Sequence, residues 1–255
     1  MKKKSLALLL IVAMISMFTL VSCGGSDSGS LTVEEGVLHM ATNAAFPPYE
    51  STTDDGGYEG IDVEIAQAIA EKLGLELVVD DMDFSSILTA VQGGKADVAL
   101  AGLTVTDERK QNVDFTDTYA QGVQSIIVPE GSDIKSADDL EGKKIGTQEG
   151  TTGYIYCSDD YGDENTIAYT NGAMAVEALK SGKVDCVVID NNPAKAFVEK
   201  NAGLTILDTA YVEEDYAIAV SKDNPELLEA VNAALVELIE DGTVQSIVDK
   251  YISAE

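Results

Sequence analysis

Short apolar runs alternate with amphipathic helical patterns along most of the chain. The strand-like runs are nearly continuous in apolar residues, and the helical segments repeat apolar positions every three or four residues. The runs predict strands at 37–42, 75–79, 96–101, 144–148, 166–169 and 184–189, and helices at 61–73, 85–92, 151–157, 173–181 and 191–200. Such alternation is typical of α/β folds with parallel sheets.

The C-terminal part of the chain has a different pattern. Asn224-Pro225 is followed by apolar residues that recur on one helical face until Gly242, and proline is well tolerated at the start of a helix. A second short helix is predicted at about 243–251. The alternation of strand and helix therefore ends before this region.

One sequence pattern occurs twice, with Asp97 and Asp185 placed 88 residues apart. In both copies a helix is followed by Gly-Lys-x-Asp and then by an apolar strand, at 98–101 and at 186–189. Glycine is common at any helix end, so the match alone is weak. Because both copies occupy the same stage of the alternation, we predict two α/β lobes with related connectivity.

A basic and then apolar N-terminus precedes these elements. Three lysines at 2–4 are followed by an uncharged run from Ser5 to Ser22, which is typical of an export signal. A retained transmembrane anchor is the alternative reading, but the run is near the short end for a membrane span. We therefore predict a signal peptide at 1–22.

The residues Leu20-Val21-Ser22-Cys23 resemble the lipobox of bacterial lipoproteins. The resemblance implies cleavage before Cys23, lipidation of that cysteine, and an extracytoplasmic protein that is lipid-anchored to the cell membrane. Small polar residues follow, so 23–35 are predicted to be a lipid anchor and flexible spacer.

Charge and composition exclude several functions. The formal net charge is −29, and removal of the signal peptide would bring it to about −32, which argues against nucleic-acid binding. The single histidine, His39, lies within a predicted strand, so we expect no metal site and no catalytic histidine. Cys157 and Cys186 would remain after lipidation, and whether they form a disulfide is left open.

Ligands of open parallel sheets bind beyond the carboxyl ends of the strands. Gly102, Thr104 and Arg109 follow the first repeated strand, and Asp190 follows the second. A guanidinium binds carboxylates and an aspartate can receive an ammonium, so together they suit an α-amino acid. Singly, Arg109 could form a surface ion pair and Asp190 could cap a helix.

Further candidates follow other strands. Gly150-Thr151-Thr152-Gly153 opens a helix, whose free N–H groups favour an anion. Phe46 follows the first strand and Phe84 follows the second, where aromatic rings can flank a ligand. On sequence alone, Phe84 is equally suited to the core.

Several of these segments resemble one family, the solute-binding proteins of polar-amino-acid ABC transporters. The resemblance covers about 36–252 and has four segments in the order of the family: 60–65 with the helix that follows, 101–116, 146–153 and 187–190. It implies a type II periplasmic-binding-protein-like fold of two lobes, with a hinge crossed twice and a ligand cleft between the lobes. Lobe 1 would comprise 36–120 and 217–255, and lobe 2 would comprise 121–216.

The resemblance also implies roles for individual residues. Arg109 would hold the ligand carboxylate with the amides of Thr104 and Thr152, and Asp190 would hold the ammonium beside Gly102 and Thr104. The remaining implied site residues are Phe46 and Phe84 around the side chain, Gln148 on the wall of lobe 2, and Asn43.

Asn43 departs from the family pattern, because members that bind cationic or amide side chains often have aspartate there. Asp81, Asp83 and Glu50 are the candidates to replace that charge, so the predicted ligand is a polar L-amino acid and no narrower class. The implied protein is a monomer without cofactor or catalytic residues that delivers its ligand to the membrane subunits of an ABC permease. A sensing module for a membrane receptor, or a dehydratase on the same fold, is the alternative.

Overall fold

The computed structural model describes residues 30–208 and 210–252. The predicted signal peptide, Cys23 and most of the predicted spacer lie outside the described residues. Within the described part, no helix combines the length and the apolar character needed to cross a bilayer.

The described chain contains twelve strands and seven α-helices. The strands are β1 Val37–Thr42, β2 Ala45–Phe46, β3 Glu50–Thr52, β4 Tyr58–Glu59, β5 Glu76–Asp81, β6 Val98–Ala99, β7 Val113–Pro129, β8 Ile145–Gln148, β9 Thr166–Tyr169, β10 Cys186–Asp190, β11 Leu204–Ile206 and β12 Val212–Ser221. The helices are α1 Ile61–Leu73, α2 Phe84–Gln92, α3 Thr152–Tyr161, α4 Gly172–Lys180, α5 Asn191–Lys200, α6 Pro225–Glu240 and α7 Thr243–Tyr251.

Nine strands form one sheet in the order β5-β1-β6-β12-β7-β10-β8-β9, with β11 paired to β7, while β2, β3 and β4 form a small second sheet. β1 is parallel to β5 and β6, and β8 is parallel to β9 and β10. The long antiparallel pair of β7 and β12 lies between these two parallel groups. The structure is therefore a two-lobed α/β fold in which one curled sheet continues through both lobes.

Strands β7 and β12 form the hinge between the lobes. At one end of their pairing Val220 faces Asp114 and also pairs with β6, and at the other end Gln124 faces Val212 and pairs with Asp190 of β10. The register of the pair shifts on both sides of Ala217. The chain therefore crosses between the lobes twice, and the ladder is irregular along the crossing.

Every strand and helix predicted from the sequence forms, but some bounds differ, the sheet differs in direction, and the structure has further strands that were not predicted. The strand predicted at 96–101 is only Val98–Ala99, because the chain leaves the sheet before Gly102, which has a φ of +52°. The sheet is also mixed rather than parallel. The hinge strand β7 was not predicted, because polar residues interrupt its apolar positions as far as Ser125.

The C-terminal helix α6 forms as the sequence predicts. Pro225 is its first residue, and the side chain of Asn224 accepts a hydrogen bond from the amide of Leu227. The helix buries an apolar stripe and packs on α1 and on the hinge strand β7. Helix α6, which lies near the C-terminus, is therefore part of the core of the first lobe.

Cys157 and Cys186 are free thiols in this structure. They lie on α3 and β10 within one apolar cluster, and both are fully buried. Burial raises the pKa of Cys186 to about 12 and that of Cys157 further still. Both cysteines are therefore protonated, apolar core residues at neutral pH.

Gly60 allows helix α1 to begin directly against the turn that carries Tyr49. Its φ of 131° and ψ of 174° lie in a region that essentially only glycine adopts. A Cβ here would lie 2.2 Å from the carbonyl oxygen of Tyr49, which accepts a hydrogen bond from the amide of Asp62. Gly60 therefore holds Asp62 next to the segment that carries Glu50.

We expect Gly60→Ala to destabilise the protein more than Gly56→Ala does, by about 2 kcal/mol or more. Gly56 also has a positive φ, but a Cβ there would meet no atom within 4 Å, so its substitution isolates the backbone cost of roughly 1 kcal/mol. Urea denaturation followed by circular dichroism gives both free energies of unfolding. Equal losses of unfolding free energy in the two variants would show that the close approach to Tyr49 adds no cost of its own.

Candidate functional site

Residues from both lobes line one cleft, and the cavity left between them is about 10 Å³. A cavity of this size holds about one water molecule, so the two walls of the cleft are nearly in contact. The lining residues are Asn43, Phe46, Glu50, Phe84, Ala101, Gly102, Thr104, Arg109, Gln148, Thr151, Thr152 and Asp190.

Arg109 begins a short 3-10 helix, and its side chain is buried in the cleft. Its guanidinium donates to the carbonyl oxygens of Thr104 at 2.8 Å and of Gly150 at 3.1 Å, and its central carbon lies 5.5 Å from the centre of the Phe84 ring. Burial lowers the pKa of Arg109 from its usual value. The result is a fixed, planar and desolvated cation, which is suited to binding a carboxylate.

Asp190 ends strand β10 and is almost completely buried. It accepts hydrogen bonds from the Tyr216 hydroxyl and, at 2.9 Å, from Nε2 of Gln124. The same Gln124 nitrogen donates to Glu214 at 2.8 Å, so one amide nitrogen joins two carboxylates. Burial, reinforced by the charge of Glu214, raises the pKa of Asp190 to about 7.

Two more carboxyl groups, both fully buried, form what we call the floor of the cleft: Glu50 lines it, and Asp62 lies behind it and accepts a hydrogen bond from the lining residue Gly102. Oδ2 of Asp62 accepts from the Gly102 amide and from the Tyr119 hydroxyl, each at 2.8 Å. Neither carboxyl oxygen of Glu50 has a hydrogen-bond donor. Burial raises the pKa of Asp62 to about 6 and that of Glu50 well above its usual value.

Polar contacts join the two walls of the cleft. Besides the bond from Arg109 to Gly150, the amide of Gln148 donates to Asn43 at 3.0 Å, and the amide of Asn192 donates to the Tyr49 hydroxyl at 3.2 Å. The hydroxyls of Thr104 and Thr152 are 3.5 Å apart. The two lobes therefore meet directly through polar groups in and beside the cleft.

The protein-family model for the bacterial extracellular solute-binding proteins, family 3, matches residues 38–254 of this chain. This chain belongs to that family. A curated relative, the arginine-binding extracellular protein ArtP of Bacillus subtilis (strain 168), is 36% identical over 97% of this chain and 98% of its own length.

Two solved structures of an ancestral arginine-binding protein have the same fold. The one bound to glutamine has a TM-score of 0.82 at 42% identity and covers 87% of this chain and 100% of its own. The one bound to arginine has a TM-score of 0.81 at 43% identity and covers 86% of this chain and 99% of its own. The fold class and the family predicted from the sequence are both confirmed.

The structure of this family 3 protein brings all the site residues predicted from the sequence into the one cleft. They are Asn43, Phe46, Phe84, Gly102, Thr104, Arg109, Gln148, Thr152 and Asp190. Of the three acids considered as replacements for the charge missing at Asn43, only Glu50 lines the cleft, whereas Asp81 and Asp83 are exposed. The roles of these residues in binding stay predictions.

Sequence analysis missed the residues that surround Asp190. Gln124 lies on β7, and Glu214 and Tyr216 lie on β12, all buried. No sequence motif identifies them, because they come together only through the antiparallel pairing of two strands far apart in the chain. Burial alternates along 213–216 in the structure, but the sequence there is mostly acidic and shows no alternation of apolar and polar residues that would predict it.

Asp190→Asn should make the protein more stable at pH 8. Its folded pKa of about 7 lies above the unfolded value, so between about pH 4 and pH 7 only the folded state keeps the proton, and stability falls as pH rises. The cost of the buried charge is complete above pH 7, and removing it should gain about 1–3 kcal/mol.

Thermal unfolding at pH 5, 6, 7 and 8 measures this effect, and the gain should shrink towards pH 5. Asp54→Asn changes an exposed aspartate in the same way and serves as the control, with no pH-dependent gain expected. A gain in Asp190→Asn that grows as the pH falls would contradict the assigned direction.

Proposed function

We propose that this family 3 protein is the extracytoplasmic binding component of an ABC importer, which captures a polar L-amino acid by closure of its lobes. Arg109 binds the ligand carboxylate and Asp190 binds the ammonium. The observation that carries the proposal is that one buried cation and one buried carboxylate from different lobes line the same small cleft. The arginine-binding relatives support an amino acid as the ligand.

The other lining residues complete the proposed site. Thr152 is the first residue of α3, so its amide has no partner within the helix and is available to the ligand carboxylate beside that of Thr104. Phe46 and Phe84 flank the ligand side chain. Gly102 must be glycine, because a Cβ there would lie 2.6 Å from the Phe46 ring, and Gln148 and Asn43 close the wall between the lobes.

Closure follows from the placement of these groups. A ligand that contacts both lobes binds the closed conformation more tightly than the open one, and only that difference drives closure. The hinge strands β7 and β12 are continuous through both lobes, so the lobes rotate about a ribbon that stays hydrogen-bonded. The closed form then docks on the permease, to which the ligand is released.

The organisation of the whole chain follows from this function. We place lobe 1 at 36–120 and 217–255 and lobe 2 at 121–216. The signal peptide at 1–22 is removed, and lipidation of Cys23 tethers the monomeric protein to the cell membrane through the spacer that ends at residue 35. Treatment of cells with an inhibitor of signal-peptide processing at the lipidated cysteine would leave an unprocessed precursor if this is correct.

Arg109→Ala and Asp190→Ala should each lower the affinity for the ligand at least 100-fold without unfolding the protein. Charge-assisted hydrogen bonds contribute about 1.5–3 kcal/mol each, and loss of one buried partner leaves the opposing ligand charge unmatched. A thermal-shift screen with the twenty L-amino acids, ornithine, citrulline and cystine identifies the ligand, and isothermal titration calorimetry then measures its affinity.

Lys110→Ala is the matched control for Arg109→Ala, because Lys110 is the exposed neighbour and lies outside the cleft. It should bind with unchanged affinity. Retained binding in both cleft variants would remove the proposed roles, and normal amino-acid uptake by a deletion strain would count against delivery to a permease.

A further inference from the structure

Three buried carboxyl oxygens at the floor of the cleft have no hydrogen-bond donor. They are both side-chain oxygens of Glu50 and Oδ1 of Asp62. The two carboxyl groups are neighbours, because the amide of Asp62 donates to the carbonyl oxygen of Tyr49, the residue before Glu50, and a side-chain hydrogen bond between the two groups contributes to the pKa of each. Two ionised carboxylates have no hydrogen to share, so a contact of this kind is favourable only when one of them carries a proton.

The neighbours of the pair indicate which group is ionised. The other oxygen of Asp62 accepts from the Gly102 amide and the Tyr119 hydroxyl, and these two donors stabilise a negative charge on Asp62. Glu50 has no donor of its own. The proton therefore belongs on Glu50, which can donate it to the free oxygen of Asp62.

The charged groups that act most strongly on Glu50 do not provide it with a positive partner. Those that act on it most strongly belong to Asp62 on α1, Asp190 on β10 and Asp81 on β5, and all are acidic. The Tyr119 hydroxyl on β7 faces Asp62 and is neutral. Burial and these negative charges both raise the pKa of Glu50, which agrees with a protonated group.

We propose that Glu50 and Asp62 share one proton at the floor of the cleft, and that a cationic ligand side chain displaces this proton and takes its place as the positive charge. Binding then breaks the O–H bond of Glu50 and releases the proton to solvent, and the ligand cation pairs with the resulting carboxylate. The pair makes the site selective for cationic over uncharged polar side chains, and this selectivity increases with pH.

This inference rests on the proposed function, because Arg109 and Asp190 hold the carboxylate and the ammonium and leave the side chain to reach Glu50. The direction of the pH effect follows from proton release. A ligand that requires ionised Glu50 gains affinity as pH rises through the pKa of the free pair, by up to about tenfold per pH unit. An uncharged ligand binds the protonated pair and shows no such gain.

L-Arginine and L-citrulline test this directly, because they have the same length and nearly the same shape but differ in side-chain charge. Calorimetric titrations in two buffers of different ionisation enthalpy give the number of protons released on binding. Asp190 also has a raised pKa, but both ligands carry the same ammonium, so its contribution cancels in the comparison. We expect arginine to release more protons than citrulline at pH 6, by up to one.

Glu50→Gln is the decisive variant, because glutamine has the size of protonated glutamate and can still donate to Asp62. We expect it to fold, to bind citrulline within about threefold of the wild type, and to lose about 100-fold in arginine affinity. The difference in proton release should disappear. Glu59→Gln changes an exposed glutamate on β4 and should behave as the wild type.

Each outcome supports or overturns a distinct statement. Equal proton release by arginine and citrulline, or unchanged arginine selectivity in Glu50→Gln, would overturn the shared proton. Binding of an uncharged amino acid with no binding of arginine would overturn the cationic ligand class but leave the proposed function intact. Loss of binding to every amino acid in the screen would instead overturn the proposed function.

Discussion

Charge that is buried without an opposite charge beside it is the main constraint on this structure. Five side chains in or beside the cleft that carry a carboxyl or guanidinium group are buried: Arg109, Asp190, Glu214, Glu50 and Asp62. Four of them are acids, and the arginine uses N–H groups on backbone carbonyls rather than on these acids. Removing ions from water costs several kcal/mol each unless hydrogen bonds or counter-charges replace the lost hydration. The folded protein meets this cost only in part.

The hinge strands provide most of the hydrogen bonds that are made to these acids. Tyr119 and Gln124 from β7, with Tyr216 from β12, donate to Asp62, Asp190 and Glu214. A Cβ at Gly122 would lie 2.3 Å from the Tyr216 hydroxyl oxygen, so glycine is required where that ring crosses the partner strand. The ribbon that we propose as the hinge thus also holds the buried acids of the site, so movement of the hinge would alter their solvation.

The sequence predicts most of the fold and the residues that line the site, but not the residues that contact Asp190 from behind. Helices such as α1 and α6 are predicted within a residue or two, because an apolar period, a proline and a glycine define their ends locally. Arg109 and Asp190 follow apolar strands, so their position at the cleft is also predictable. The hinge strands carry no such local signal, since their burial is decided by pairing between residues about a hundred positions apart.

The same limit explains why the acids of the site are harder to interpret than its cation. Asn43 stands where an acid is expected, which by sequence alone weakens the case for a cationic ligand. The structure shows a different acid, Glu50, on the cleft wall, next to Asp62 at the start of α1. Their proximity depends on the backbone of Gly60, which brings a strand and a helix start into contact.

Incomplete matching of charge inside the cleft also gives the protein its means of response. A buried acid that is well satisfied would stabilise the protein equally with and without ligand and would contribute nothing to closure. An acid that lacks a partner favours any molecule that supplies the missing positive charge or proton, and it does so only when the lobes enclose that molecule. In the proposed mechanism, the energetic cost that makes Asp190 and Glu50 unfavourable in isolation is therefore the source of the difference in affinity between the open and closed forms.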